Sequence, residues 1–140
     1  MAQYTAIPVQ TVASMQNVLF TEDSIPCNKG YIVHRIGSGL FTFKGASPCR
    51  ARYKVTFDAN IVIAAGGVVA PISIAIAVNG EALGNATAIV TPAAVGDFNN
   101  VSLSVFIDVP SCCCLTVALE NTSTQAIDVE NANLIFERVA

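Results

Sequence analysis

Between Tyr53 and Ile63 every odd position is apolar: Tyr53, Val55, Phe57, Ala59, Ile61 and Ile63. Lys54, Thr56, Asp58 and Asn60 stand between them. Successive side chains of a strand point to opposite faces, so this stretch makes one long strand with a buried and a wet face. The pattern recurs. Ile72, Ile74, Ile76 and Val78 alternate with Ser73, Ala75 and Ala77, and Asn79-Gly80 follows. That dipeptide favours a two-residue type I′ hairpin, whose central residues both need positive φ. A returning strand is expected from Ala86 to Thr91. Val101, Leu103, Val105, Ile107 and Val109 alternate with Ser102, Ser104 and Asp108, and Pro110 ends the run. Leu115, Val117 and Leu119 give another strand. Ile127 to Val139 is strand-like but ragged, because Leu134, Ile135 and Phe136 are consecutive; burial on both faces is the reading this suggests.

No helical i, i+3, i+4, i+7 stripe is sustained anywhere. Runs rich in Val, Ile, Thr and Phe, cut by Gly, Pro and Asn, therefore predict an all-β chain. At 140 residues one core is expected, and about eight strands in one domain form an antiparallel sandwich, of which the jelly roll hides most edges. An immunoglobulin-type sandwich has less support, since its core Trp has no counterpart in a chain with no Trp. Residues 17–140 are assigned to the domain. Residues 1–16, which mix small polar and apolar side chains, are expected as an extended arm that orders against a neighbour, or as a frayed terminus.

Only 12% of residues are charged and 53% are hydrophobic, with seven basic against ten acidic side chains. That acidic balance argues against nucleic acid as the partner. No run approaches the ~18–20 apolar residues of a membrane helix, because Ile61 to Val78 is broken by Gly66, Gly67 and Pro71. The start, MAQYTAIPVQ, lacks the basic and apolar blocks of a secretory signal.

The stretches NVLFTEDSIPCNKGYIVHRIGSGLFTFKG, CRARYKVTFDANIVIAAGG, PISIAIAVNGE and VENANLIFERVA resemble a group of small proteins from gut Firmicutes and their phages. That group is similar to the jelly roll of tumour necrosis factor and complement-type globular heads. The resemblance runs from about Asn17 onward, and Gly39-Leu-Phe-Thr-Phe-Lys-Gly followed by Tyr53-x-Val-x-Phe is where those folds place two inner-sheet strands. It implies a homotrimer packed about a threefold axis and a surface-displayed head: a capsid decoration or fibre tip in a phage, or a spore or cell-surface coat in a bacterium. The partners it implies are the chain itself and capsid or fibre proteins. The expected location is the virion surface if phage-encoded, and otherwise the bacterial surface or cytoplasm. No collagen-like stalk precedes the head, which leaves the arm as the attachment element. Val62 and Phe106, apolar on otherwise polar strand faces, would be covered by such an interface or by loops of the same chain.

Reactive chemistry is sparse. The single His34 is read as a packed or interfacial side chain. No nucleophile elbow, phosphate loop or carboxylate pair appears, so no enzyme, cofactor or metal is assigned. Asp97, Asn99 and Asn100 form the one loop cluster with calcium-type oxygens. Arg50, Arg52 and Lys54 share a strand face and form a ridge ~13 Å long, with Lys44 expected across a turn. That ridge is either an anionic-surface contact, for an acidic capsid or a glycan, or an ordinary solvated face. The tripeptide Cys112-Cys113-Cys114 invites a metal reading, yet a strand splits it, Cys113 inward with Leu115 and Val117, Cys112 and Cys114 outward. Core filling at Cys113 is favoured, and disulfides from Cys112 or Cys114 to Cys27 or Cys49 stay open. Cys112, Cys114 and Phe106 are the candidates for a threefold axis. The leading function is a non-enzymatic trimeric virion decoration or fibre head; the alternative is a carbohydrate-binding adhesion module.

Overall fold

The computed structural model describes residues 2–27, 31–44, 51–110 and 114–139. They form an antiparallel jelly-roll sandwich with no helix, made of β1 (Ala2–Ala6), β2 (Gln10–Val12), β3 (Glu22–Ile25), β4 (Ile32–His34), β5 (Phe41–Lys44), β6 (Ala51–Ile63), β7 (Ile72–Val78), β8 (Glu81–Val90), β9 (Asn99–Val109), β10 (Cys114–Asn121) and β11 (Ile127–Arg138). One sheet runs β3-β1-β11-β6-β9, with β2 also on β11, and the other runs β4-β5-β10-β7-β8.

Alternation chose the buried face of each long strand. Tyr53, Val55, Phe57, Ala59, Ile61 and Ile63 are all buried, as are Ile72, Ile74 and Ile76. Between the sheets an aromatic cluster gathers Tyr4, Phe20, Phe41, Phe43, Tyr53 and Phe136. Phe41 meets Phe136 edge-on at 5.1 Å between centroids, and Phe43 meets Phe136 the same way at 4.7 Å. Edge-to-face packing suits the ring quadrupoles, and each buried ring of this kind removes about 150–250 Å² from water. The hairpin after β7 is the expected one: Asn79 and Gly80 have φ of 51° and 84°. The Asn79 Oδ1 accepts from the Thr116 backbone N–H at 3.0 Å, tying the turn to β10.

Two expectations are corrected and one stated alternative is decided. The N-terminal residues are no projecting arm. Ala2, Tyr4 and Ala6 alternate with Gln3 and Thr5, and β1 pairs with β11 of its own chain from Ala2↔Phe136 to Ala6↔Ala132. The chain then crosses to the other sheet, where the Val18 N–H donates to the Leu119 carbonyl at 2.8 Å and Asn17 bridges Glu120. This leader laces the two layers together. Its short alternation, flanked by Ile7 and Pro8, hid it.

Second, the ragged last strand is one-sided. Its register shifts between Glu130 and Asn133, and Asn131 takes φ 54°. A bulge residue of this kind adds one position and flips the phase. Ile127 and Val129 are buried before it and Ala132, Leu134 and Phe136 after it, while Ile135 stays partly exposed. Third, Val62 is covered by its own chain, at 2% exposure, and needs no partner.

Candidate functional site

Because odd residues of β6 and β9 fill the core, their even residues pave the outer face of the six-stranded sheet. The register sets the paving in rows. Arg52 lies opposite Asp108, Lys54 opposite Phe106, Thr56 opposite Ser104, Asp58 opposite Ser102 and Asn60 opposite Asn100. Across β11 the rows continue, with Glu137 beside Lys54, Ile135 beside Thr56 and Asn133 beside Asp58. On β1 they end at Gln3, paired with Ile135, and Thr5, paired with Asn133.

Most of this pavement is hydrogen-bonded within itself. The Gln3 amide donates to Asn133 Oδ1 at 2.9 Å, and the Thr56 and Ser104 hydroxyls meet at 3.0 Å. The Asn100 amide donates to Asp58 Oδ1 at 2.7 Å and to Asn60 Oδ1 at 3.0 Å. Phe106 breaks the pattern: an aromatic ring on a row of polar neighbours, 62% exposed in the middle of a long strand. Ile135 and the 49% exposed Ile25 lie on the same sheet. The result is a largely polar face that carries one exposed ring among the described residues, Phe106.

The basic ridge reads differently in three dimensions. Arg50 lies outside the described residues. Arg52 and Lys54 do face outward together, but Arg52 is held by Asp108 in a two-pronged pair, Nε to Oδ1 at 2.6 Å and an Nη to Oδ2 at 2.9 Å. That carboxylate, by hydrogen bond and charge, raises the guanidinium's already high pKa. Lys54 sits between Phe106 and Glu137 in register. Lys44 belongs to the other sheet, on β5 opposite Cys114, and does not extend the ridge. The acidic partners lie on strands far away in sequence, so no local reading of RARYK could reveal them.

The axis candidates also separate. Cys112 and Cys113 lie outside the described residues. Cys114 is exposed at the start of β10, in the sheet that does not carry Phe106. Cys27 is half-buried against the core, and Cys49 lies outside the described residues. Among the described residues no three His, Cys, Asp or Glu side chains converge as metal ligands. The loop cluster proposed for calcium is pulled apart by the sheet: Asn100 turns to Asp58 on β6, and Asn99 reaches the Asp97 carbonyl at 3.4 Å.

His34 is a packed histidine. Its side chain is fully buried, with Nδ1 2.7 Å from Asp23 Oδ1 and Nε2 2.9 Å from the Ser38 carbonyl. The ring stacks on Phe41 at 4.3 Å. Beside it Tyr4 has its pKa pushed up to about 12, by burial first and then by the charge of Asp23. A hollow of about 350 Å³ lies at the β6–β7 bend, walled by Ala64, Ala65, Gly66 and Val68. Its one amide, Gln125, is committed to the Val68 backbone at both ends, accepting at 3.0 Å and donating at 2.8 Å. It offers no group for chemistry.

Sequence reasoning missed Asn121, which is completely buried. Its amide donates to the carbonyls of Val12 at 3.0 Å and Gln125 at 3.1 Å, and its Oδ1 accepts from the Ser123 N–H at 2.9 Å. The surrounding Asn-Thr-Ser reads locally as a turn, and only the returning N-terminal segment makes it a knot.

No protein-family model matches the sequence, and no curated protein matches it. Solved structures do. The globular domain of a zebrafish complement 1qA protein aligns over 96% of this chain and 94% of its own, with 14% identity and a TM-score of 0.64. At that identity the likeness is one of fold. Looser matches are the C-terminal domain of EclA, a sugar-binding protein (14% identity, covering 94% of this chain and 80% of that one, TM-score 0.42), and a family 35 carbohydrate-binding module from Clostridium thermocellum (12% identity, covering 91% and 98%, TM-score 0.36).

Proposed function

We propose that this chain is a non-enzymatic head that assembles with copies of itself, as a trimer, through the outer face of the β11-β6-β9 sheet. The observation that carries the reading is Phe106. A ring 62% exposed at the centre of a regular strand, among self-satisfied polar side chains, costs solvation in a monomer and gains burial in an interface. Isologous or cyclic contacts of copies repay such a residue several times over, since each copy brings its own ring. The resemblance to complement-type heads supports three copies. Display on a particle, as a phage capsid decoration or fibre head, is part of the same proposal and rests on the sequence resemblance alone. In that setting the β1 strand, paired within its own sheet, is part of the head and not a tether.

Sedimentation equilibrium or native mass measurement tests this directly. The wild-type chain should run as a trimer, and Phe106→Ser should shift the population to monomer while leaving the far-ultraviolet β signal unchanged. A wild-type monomer at about 100 μM, well above the micromolar range of stable association, overturns it.

A second reading rests on the same face. Outward amides and hydroxyls at Gln3, Asn133, Thr56 and Ser104, next to an exposed ring, are the chemistry of sugar recognition. Glycan-array binding that is lost in Phe106→Ala, by a protein that is monomeric, would favour it over self-assembly.

A further inference from the structure

At one open side of the sandwich the edge strands of both sheets are short. β3 pairs with β1 at only two positions, Gln3↔Ile25 and Thr5↔Glu22, with an irregularity between them. β4 is three residues long, paired only with β5. Beside two backbone bonds between Phe20 and the Gly37–Ser38 turn, a side chain from each edge strand joins the layers: His34 from β4 and Asp23 from β3, 2.7 Å apart. The other ring nitrogen reaches the Ser38 carbonyl, which also accepts the Phe20 N–H at 3.2 Å.

The acceptors dictate the proton count. A carbonyl only accepts, so Nε2 must carry hydrogen. An ionised carboxylate also only accepts, so Nδ1 must carry one too. Both contacts hold together only when the pair keeps one proton beyond a neutral imidazole and a carboxylate. Removing it sets a lone pair against a lone pair at a part-buried contact whose imidazole is fully covered, and an unmade hydrogen bond there is costly. We infer that His34 and Asp23 form a proton-held clasp between the two sheets, closed while the shared proton is present and released when it is lost.

The surroundings suit a cation. Phe41 presents its face to the ring, with an interplanar angle of 15°, and aromatic faces attract positive charge. Tyr4 packs against it from β1 at 5.0 Å, and with its pKa at about 12 stays neutral through the histidine range. On β3 the neighbours of Asp23, Glu22 and Ser24, are exposed, as is Arg35 beside His34; β5 contributes only Phe41. Cys27, after β3, couples to the site through Tyr4. Loss of the shared proton opens the edge, because the two ring nitrogens then cannot both donate.

The chain has one histidine, so every histidine resonance reports on this site. The test is ¹⁵N and ¹H NMR of the ring together with amide exchange of β3 and β4, from about pH 5, where a histidine holds its charge, into the alkaline range. Asp23→Asn is the sharp variant, because its amide can donate to a neutral Nδ1 and close the clasp without the extra proton. The wild-type ring should carry two N–H groups while the edge is protected. At alkaline pH its β3 and β4 amides should exchange about tenfold faster than those of Asp23→Asn measured at the same pH. The β6 and β9 amides should be equal in the two proteins. A ring with a single N–H while both contacts persist, or equal edge exchange in the two proteins throughout, overturns the clasp.

Discussion

The centre and the open side of this sandwich are built on opposite plans. β6 and β9 pair without interruption from Ala51↔Val109 to Ile61↔Asn99, and the stability of that region comes from the apolar surface beneath it. β3 and β4 bury little, and their edges meet through a few polar contacts, the His34–Asp23 pair among them. A region stabilised by area is insensitive to any single hydrogen bond, whereas a region held by a few hydrogen bonds feels the loss of each. The two should therefore fail differently, one by global unfolding and the other by local opening.

The largest effect is expected from breaking the centre. Phe57→Ala removes a completely buried ring and should cost about 3–5 kcal/mol. Denaturant unfolding would read this as a lower midpoint, with exchange faster everywhere, the clasp included. Asn121→Ala comes next, since it strands the carbonyls of Val12 and Gln125 and the Ser123 N–H. A cost of about 1–3 kcal/mol per buried unpaired group should appear in the same measurement, with the β2 amides loosened first.

Asn79→Ala puts an ordinary side chain at φ 51° and removes the bond to Thr116. About 1–2 kcal/mol is expected, confined to the β7–β8 hairpin. The smallest effect at neutral pH is that of Tyr4. Its phenol is raised in the folded state to about 12 from an ordinary 10.0. The associated stability is complete below about 10 and is lost as pH climbs towards 12. Alkaline unfolding followed by tyrosinate absorbance should show that loss in the wild type, and Tyr4→Phe should remove its share of it. Unchanged alkaline behaviour in Tyr4→Phe would break the claim.

How legible these regions were follows the same division. The strands of the centre were readable, because a period of two over a long run admits one structure and the register then follows from which face is apolar. Asn79-Gly80 was readable because few dipeptides tolerate two positive φ angles. The C-terminal strand was half readable: Leu134-Ile135-Phe136 is ordinary alternation with Ile135 outward, and the bulge at Asn131 moves the buried phase from odd to even positions. The N-terminal strand was missed, since Ala2, Tyr4 and Ala6 give a short, weak alternation whose partner is at the far end of the chain. Val62 was left open for a related reason, as the sequence does not say whether a side chain on the polar face is covered by another copy or by its own molecule.

The face around Phe106 was legible as a single odd residue, and its setting was not. The sequence shows Arg52 and Lys54 on one side of a strand; only folding pairs Arg52 with Asp108 and sets Glu137 across from Lys54. The clasp is further still from sequence. Asp23 and His34 are close in the chain, but no local pattern says that one will stand on each sheet, or that the Ser38 carbonyl will face the second nitrogen. Hydrophobic periodicity is a property of neighbours along the chain, so the sequence alone determined the strands, their buried faces and the all-β class. Which polar groups meet, and therefore which charges are cancelled and which proton is held, depends on contacts between strands remote in sequence, and those the tertiary structure decided.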